Sequence, residues 1–131
     1  MKANSSIVFD CKYHVVWCPK YRRSVLVDGV DVDLKQIIQD VCQETNAELI
    51  EVEVMPDHIH VLIACDPQFG INRLIKLIKG RSSNILRKKH PWLKSRLPCL
   101  WTSSYFVSTV GNMSLATIKR YIENQKRSGN V

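Results

Sequence analysis

Two histidines separated by one residue are the first feature that could do chemistry. His58 and His60 flank Ile59 in a segment that predicts a strand, and successive side chains of a strand point to opposite faces. Both imidazoles therefore project from one face, where they could share a divalent metal ion. No cysteine or carboxylate completes a structural zinc set nearby, so the pair suits an open, catalytic metal site. The alternative is a chance pair of sheet histidines.

A tyrosine and a glutamine lie four residues apart near the end of the chain. Tyr121 and Gln125 belong to a segment whose apolar residues Ile118 and Ile122 recur at helical spacing, so they share one flank of a helix. The amide oxygen of Gln125 would add a third, harder metal ligand, and an imidazole and oxygen set favours Mg²⁺ or Mn²⁺ over a zinc–thiolate site. The alternative is a tyrosine at the edge of the core with its hydroxyl in water.

Other polar groups have simpler interpretations. His14 and His90 have no evident partner in the sequence, and we interpret them as packing or surface residues. Asp57 fits a turn before the histidine pair, with support of a histidine ring as the alternative. The cysteines at positions 11, 18, 42, 65 and 99 include no Cys-x-x-C pair, and we interpret all of them as structural.

The charge distribution indicates a phosphate-rich partner. The 131 residues include 19 Lys and Arg against 12 Asp and Glu, a net charge of +7, and residues 67–121 contain no acidic residue. Such a one-sided distribution is typical of a nucleic-acid surface, and the alternative is a solvated basic face. The cations predicted to contact DNA are Lys20, Arg22, Arg23, Arg73, Lys76, Lys79, Arg81, Arg87 and Lys88.

Hydrophobic periodicity predicts the elements that position these groups. The predicted strands are 11–18, 48–54, 58–65 and 100–110, and the predicted helices are 33–46, 71–88 and 114–126. Residues 20–32 and 90–98 are predicted as loops, and Ser114 is predicted to cap the last helix. The order β-α-β-β-α-β-α predicts an α+β, ferredoxin-like antiparallel sheet with an added C-terminal helix, in one domain over residues 1–131.

The composition excludes several classes of protein. An apolar fraction of 45% is sufficient for a core and excludes a disordered tail. The longest apolar run, residues 61–65, is far shorter than the roughly 18 residues of a membrane span. The N-terminal residues lack the apolar stretch of a signal peptide. We therefore expect a soluble, cytoplasmic protein without a membrane partner.

Four segments of the chain together resemble a known family. They are Tyr-His-Val-Val-Trp-Cys-Pro-Lys-Tyr-Arg-Arg at 13–23, Met-Pro-Asp-His-Ile-His at 55–60, Leu-Trp-Thr-Ser-Ser-Tyr-Phe-Val-Ser-Thr-Val-Gly at 100–111 and Tyr-Ile-Glu-Asn-Gln at 121–125. In this order and spacing, the set resembles the single-tyrosine HUH transposases of the insertion-sequence 200/605 type, and the resemblance covers almost the whole chain.

The resemblance implies a reaction, a cofactor and partners. It implies that His58, His60 and Gln125 bind Mg²⁺ or Mn²⁺ and that Tyr121 attacks single-stranded DNA to form a 5′-phosphotyrosine. Ionising an ordinary tyrosine at pH 7 needs roughly 4 kcal/mol, which we expect the basic surface and the metal to supply in large part. The resemblance further implies hairpin-bearing DNA ends as substrate and a homodimer whose active sites are shared between subunits. It also implies a cytoplasmic location at the prokaryotic nucleoid.

Two other functions fit parts of the sequence. Another HUH nickase, such as a replication initiator, would use similar histidine and tyrosine chemistry, but the flanking motifs fit the transposases better. A non-catalytic RNA-binding module of ferredoxin-like fold would carry a Lys/Arg-Gly-Phe/Tyr-Gly/Ala-Phe run on a strand, and the sequence has no such run.

Overall fold

An antiparallel sheet forms the centre of the computed structural model, which describes residues 2–3, 8–9, 11–110 and 115–128. A short ribbon joins β1 (Lys2–Ala3) and β2 (Val8–Phe9). The main sheet contains β3 (Lys12–Trp17), β4 (Glu48–Met55), β5 (His58–Ala64) and β6 (Phe106–Thr109), in the order β4-β5-β3-β6. This order, with every neighbouring pair antiparallel, confirms the predicted ferredoxin-like α+β fold.

Two helices cover one face of the main sheet. Helices α1 (Val30–Glu44) and α2 (Ile71–Lys89) pack against each other. Their Leu34 and Ile75 are buried in the same core as Ile59 and Val61 of β5. Fully burying one such side chain contributes about 1.5–3 kcal/mol, so this face of the sheet is strongly specified. Alternation along β5 then sends its two histidines to the other face.

Helix α1 begins three residues earlier than the sequence predicts. Asp28 and Gly29 adopt the left-handed conformation, with φ of 56° and 97°, and this turn directs the chain into the helix. Val30 is buried and extends the apolar stripe back from Leu34. Asp31, in the first turn, interacts favourably with the positive end of the helix dipole.

The prediction of a loop over residues 90–98 is wrong in part. Residues Trp92–Arg96 form a short helix, α3. Pro91 has φ of −60° and ψ of −22°, the helical values that proline tolerates at the start of a helix. Leu93 is buried in the core and anchors the turn. In α2, by contrast, the helix continues through Gly80, so its predicted range is confirmed.

The prediction of a continuous strand over residues 100–110 is also wrong. Only β6 joins the sheet, and Trp101 forms an isolated bridge with Pro19. The carbonyl oxygens of Thr102 and Ser104 accept hydrogen bonds from the Lys79 ammonium, so they do not serve a strand ladder. Residues 102–105 therefore lie outside β6, with a bend at Ser103.

The last helix, α4 (Leu115–Ser128), contacts a 3-10 turn at Lys20–Arg22 within the segment predicted as a loop. The predicted cap Ser114 lies outside the described residues. Within the described part of the chain, no helix has the length and apolar character needed to cross a membrane.

Candidate active site

The histidine face of the sheet extends across three strands. His60 is paired with Val16 of β3, and Val16 is paired with Phe106 of β6. Directly paired residues of antiparallel strands project from the same face. His58 lies on this face as well, two residues from His60. An element that packs over β3 and β6 on this side of the sheet therefore lies on the same face as the two histidines.

Helix α4 brings Tyr121 to this face. The ring of Tyr121 lies 6.0 Å from that of Phe106, centroid to centroid. Because Phe106 lies two strands from His60, about 10 Å separates the corresponding backbones. The predicted nucleophile and the histidine pair therefore share one surface, with β3 between them.

Ser104 holds the two polar groups of α4. Its hydroxyl donates to Oε1 of Gln125 at 2.9 Å and lies 3.3 Å from the hydroxyl of Tyr121. Gln125 is buried, so its amide oxygen needs such a partner. Among the described side chains, no hydrogen bond joins Tyr121 or Gln125 to His58 or His60. Ser104 was not predicted from the sequence, because it lies 17 and 21 positions from its two partners.

The ring of His58 is fixed by its neighbour in the hairpin turn. Nδ1 of His58 lies 2.8 Å from Oδ1 of Asp57. A carboxylate on one ring nitrogen is the usual support of a metal-binding histidine, and it leaves Nε2 for the metal. Asp57 therefore both occupies the turn and supports the ring, which are the two interpretations that the sequence leaves open.

His60 contacts a third histidine. Its Nε2 lies 2.9 Å from Nδ1 of His14, and the two rings stack with centroids 5.1 Å apart. Burial and the His14 ring lower the pKa of His60, which favours the neutral imidazole that metal binding requires. The prediction that His14 has no partner is wrong. So is that for His90, whose Nε2 lies 2.7 Å from Oδ2 of Asp33.

The groups predicted to bind a metal differ in which lone pairs they leave open. Nε2 of His58 is the ring nitrogen that Asp57 leaves, and Oε1 of Gln125 keeps a second lone pair beside the Ser104 bond. Within the described residues, no group of three or more His, Cys, Asp or Glu side chains could hold a metal ion. The metal-ligand role of Gln125 stays a prediction.

Tyr121 is harder to ionise than an ordinary tyrosine. Burial raises the pKa of its hydroxyl to about 12, although the hydrogen bonds from Ser104 and Thr102 act in the opposite direction. At pH 7, ionisation therefore needs roughly 7 kcal/mol instead of 4. Burial likewise raises the pKa of the nearby Cys18 to about 12, so this thiol is neutral and does not compete as a nucleophile.

Among the described residues, three of the predicted DNA-binding cations form hydrogen bonds or ion pairs within the protein. Lys79 donates to the carbonyl oxygens of Thr102 and Ser104 at 2.7 and 3.1 Å, and burial lowers its pKa to about 8. Arg22 and Arg81 form ion pairs with carboxylates. The others are exposed or partly exposed on α2 and near the 3-10 turn: Lys20, Arg23, Arg73, Lys76, Arg87 and Lys88.

Comparison with known proteins assigns the family. The sequence matches the family model described as "Transposase IS200 like" over residues 7–125. The chain belongs to the IS200/IS605 transposase family. This membership confirms the resemblance and disfavours both an RNA-binding module and a replication initiator.

Individual members of the family are similar over most of their length. The ISDra2 transposase TnpA of Deinococcus radiodurans is 40% identical over 127 residues, which cover 95% of this chain and 91% of the relative. The transposase of the IS200 insertion element of Salmonella typhimurium is 33% identical over 119 residues, 89% of this chain and 78% of the relative.

Solved structures share the fold. A crystal structure of a Deinococcus radiodurans protein assigned as a transposase superimposes with a TM-score of 0.86 at 40% identity and covers 95% of this chain and 98% of its own. A REP-associated tyrosine transposase bound to a REP hairpin superimposes with a TM-score of 0.52 at 14% identity, over 100% of this chain and 76% of its own. At this identity the second likeness concerns the fold alone.

Proposed function

We propose that the chain cleaves and rejoins single-stranded DNA at the ends of an insertion sequence, with Tyr121 as the nucleophile. The observation that carries the proposal is the pairing of Tyr121 with Gln125 at Ser104, above the sheet face that also bears His58 and His60. A phenol, an amide oxygen and two imidazoles are suited to metal-assisted cleavage of a phosphodiester. Membership in a transposase family supports the reaction class.

The proposed reaction consists of two phosphoryl transfers. In the first, the oxygen of Tyr121 bonds to phosphorus as the bond to the 3′-oxygen breaks, and the phenol proton is balanced by the proton on the new 3′-hydroxyl. In the second, a 3′-hydroxyl of another strand attacks the 5′-phosphotyrosine and releases Tyr121. Each step exchanges one phosphoester bond for another, so joining needs no nucleotide hydrolysis.

The proposed cofactor is Mg²⁺ or Mn²⁺, held by His58, His60 and Gln125. Such an ion, when bound, polarises the phosphate and stabilises charge on the leaving oxygen. Contacts within the chain favour metal binding by these three residues. Asp57 orients the ring of His58, burial favours the neutral form of His60, and Ser104 orients the amide of Gln125.

We propose that exposed cations of α2 and the neighbouring turn bind the DNA backbone near a hairpin. Arg23, Arg73, Lys76 and Lys88 are exposed, and each is available to a phosphate. Arg87 and Lys88 line a cleft together with Lys94. A protein of the same fold is bound to a REP hairpin, which supports a hairpin as the recognised feature.

We also propose a homodimer whose active sites are shared between subunits. Tyr121 and His60 lie on one sheet face but with β3 between them, and no hydrogen bond joins them among the described side chains. This separation supports a site that one chain does not complete by itself. Mixing Tyr121→Phe and His58→Ala subunits tests this. In random symmetric dimers about a quarter of the sites would be intact, so we expect cleavage to return to about that fraction; no recovery would contradict shared sites.

The reaction itself is tested with single-stranded hairpin DNAs labelled at the 3′ end, because the protein would remain on the 5′ end of the 3′ fragment. The protein is incubated with Mn²⁺, Mg²⁺ or EDTA, and adducts are separated by denaturing electrophoresis. We expect a labelled, metal-dependent adduct that Tyr121→Phe abolishes and Tyr105→Phe retains. An adduct that persists in Tyr121→Phe would contradict the proposed nucleophile.

A further inference from the structure

Arg22 differs from the other cations of its segment in where its side chain lies. It ends the 3-10 turn, in which Tyr21 and Arg22 have φ of 60° and 50°. Residues other than glycine rarely adopt this left-handed conformation, and they keep it only where the surrounding structure determines it. The side chain of Arg22 is 16% exposed, whereas the neighbouring Arg23 is exposed. The turn thus directs Arg22 inward and Arg23 outward.

One side of the Arg22 guanidinium binds the turn that carries His58. Its Nε lies 3.3 Å from Oδ2 of Asp57. The other oxygen of the same carboxylate, Oδ1, lies 2.8 Å from Nδ1 of His58. Asp57 therefore joins Arg22 to the histidine ring through its two oxygens, and the planar guanidinium suits such directional contacts.

The other side of the guanidinium binds the helix that carries Tyr121. Nη1 of Arg22 donates to Oε1 of Glu123 at 3.2 Å and to the carbonyl oxygen of Ile122 at 3.5 Å. Both acceptors belong to the turn of α4 that follows Tyr121. A single residue thus contacts both the turn that carries His58 and the helix that carries Tyr121. Its contacts Asp57 and Ile122 are 65 positions apart in the sequence.

We infer that Arg22 is a positioning residue that holds the His58 turn and the Tyr121 helix in one arrangement, and that it does not serve as a phosphate contact. The inference rests on the proposed function for its catalytic meaning. A phosphate contact would leave the guanidinium open to solvent, whereas here two carboxylates and a carbonyl group contact its Nε and Nη1. Binding of metal by His58 and presentation of Tyr121 would both depend on it.

Arg22→Gln and its matched control Arg23→Gln separate the two roles. We expect Arg22→Gln to increase amide hydrogen exchange in residues 118–125 by about tenfold or more and to weaken Mn²⁺ binding, measured by calorimetry, by about 10-fold to 100-fold. Arg23→Gln should leave both unchanged. For hairpin binding by Arg23→Gln, the slope of log affinity against log salt concentration should instead be about 0.7–0.9 shallower, as expected for one lost phosphate contact.

Two further variants divide the contacts of Arg22. Asp57→Asn should weaken Mn²⁺ binding with little effect on hydrogen exchange in α4, whereas Glu123→Gln should accelerate that exchange and leave Mn²⁺ binding unchanged. Arg22→Lys keeps the positive charge but loses the planar guanidinium. It should therefore retain only part of the Mn²⁺ affinity and only part of the protection of α4 from hydrogen exchange. This division would not result from general destabilisation, which moves all readouts together.

The outcomes distinguish this inference from the proposed function. If wild-type protein binds no Mn²⁺, the proposed metal site is contradicted, and hydrogen exchange in α4 still decides the role of Arg22. If Arg22→Gln behaves as Arg23→Gln does, with unchanged exchange and a reduced salt slope, the inference is overturned while the proposed reaction stands. Faster exchange in α4 for Arg22→Gln alone supports it.

Discussion

Nδ1 of His14 lies 2.9 Å from Nε2 of His60, so a histidine on β3 contacts the ring nitrogen that would most directly serve a metal. One of the two nitrogens donates and the other accepts, because a hydrogen bond uses one N–H and one lone pair. A metal ion bound through Nε2 of His60 must displace this bond. His14 therefore competes with the metal for one of its proposed ligands.

Replacing His14 by phenylalanine tests this competition. The aromatic ring stays available to stack on His60, but the hydrogen bond is removed. Loss of a bond worth about 1 kcal/mol should tighten Mn²⁺ binding by roughly fivefold, measured by calorimetry in the absence of DNA. Weaker binding in His14→Phe would show instead that His14 supports the orientation of His60.

Ser104 should affect catalysis out of proportion to its size. Its hydroxyl contacts both Tyr121 and Gln125, and its removal leaves the buried amide oxygen without that partner. We expect Ser104→Ala to lower kcat by about tenfold, the effect of losing about 1.4 kcal/mol of transition-state stabilisation, with the KM for hairpin DNA nearly unchanged. The exposed neighbour Ser103 provides the control, and Ser103→Ala should behave as wild type. Equal effects of the two substitutions would contradict this role.

Lys79 should act through the protein and not through DNA. Its ammonium holds the carbonyl oxygens of Thr102 and Ser104, whereas Lys76, one turn earlier in α2, is exposed. We expect Lys79→Met to lower the cleavage rate severalfold and to leave the salt dependence of hairpin binding unchanged. Lys76→Met should reduce the salt slope by about 0.7–0.9. A reduced slope in Lys79→Met would identify that lysine as a phosphate contact.

Tyr121 should make the metal-free fold sensitive to alkali. Its pKa is raised to about 12 by burial, whereas an unfolded tyrosine ionises near pH 10. Above pH 10 the unfolded state therefore loses this proton first, and the free energy of unfolding falls as pH rises. When the pH is raised from 8 to 11, the free energy of unfolding should fall by about 1 kcal/mol less in Tyr121→Phe than in wild type, after allowance for partial solvent contact. Urea unfolding at the two pH values measures the difference, and an equal loss in both proteins would contradict the assignment.

Local patterns in the sequence are sufficient for the architecture and for the residue pairs within one element. Alternation in β5 correctly predicts the shared face of His58 and His60 because the periodicity of a strand is local. Helical spacing likewise places Tyr121 and Gln125 together, where both contact Ser104.

Contacts between distant segments were not predictable from these patterns. The partnership of His14 with His60 depends on the register of β3 and β5, which no local period encodes. The late start of β6 depends on Lys79 of α2, whose ammonium binds the carbonyl oxygens of Thr102 and Ser104. The inward direction of Arg22 depends on left-handed backbone at Tyr21 and Arg22, which neither residue type favours.

The most direct test of the central claim is to identify the peptide that retains DNA after cleavage. Trypsin cuts after Arg120 and Lys126 and releases residues 121–126, a peptide with a single tyrosine, whereas Tyr105 lies in the separate peptide 97–119. The adduct formed with hairpin DNA and Mn²⁺ is digested with nuclease and trypsin and analysed by mass spectrometry. We predict that peptide 121–126 carries a 5′-linked nucleotide on Tyr121. A nucleotide on peptide 97–119, or on any residue other than Tyr121, would contradict the account.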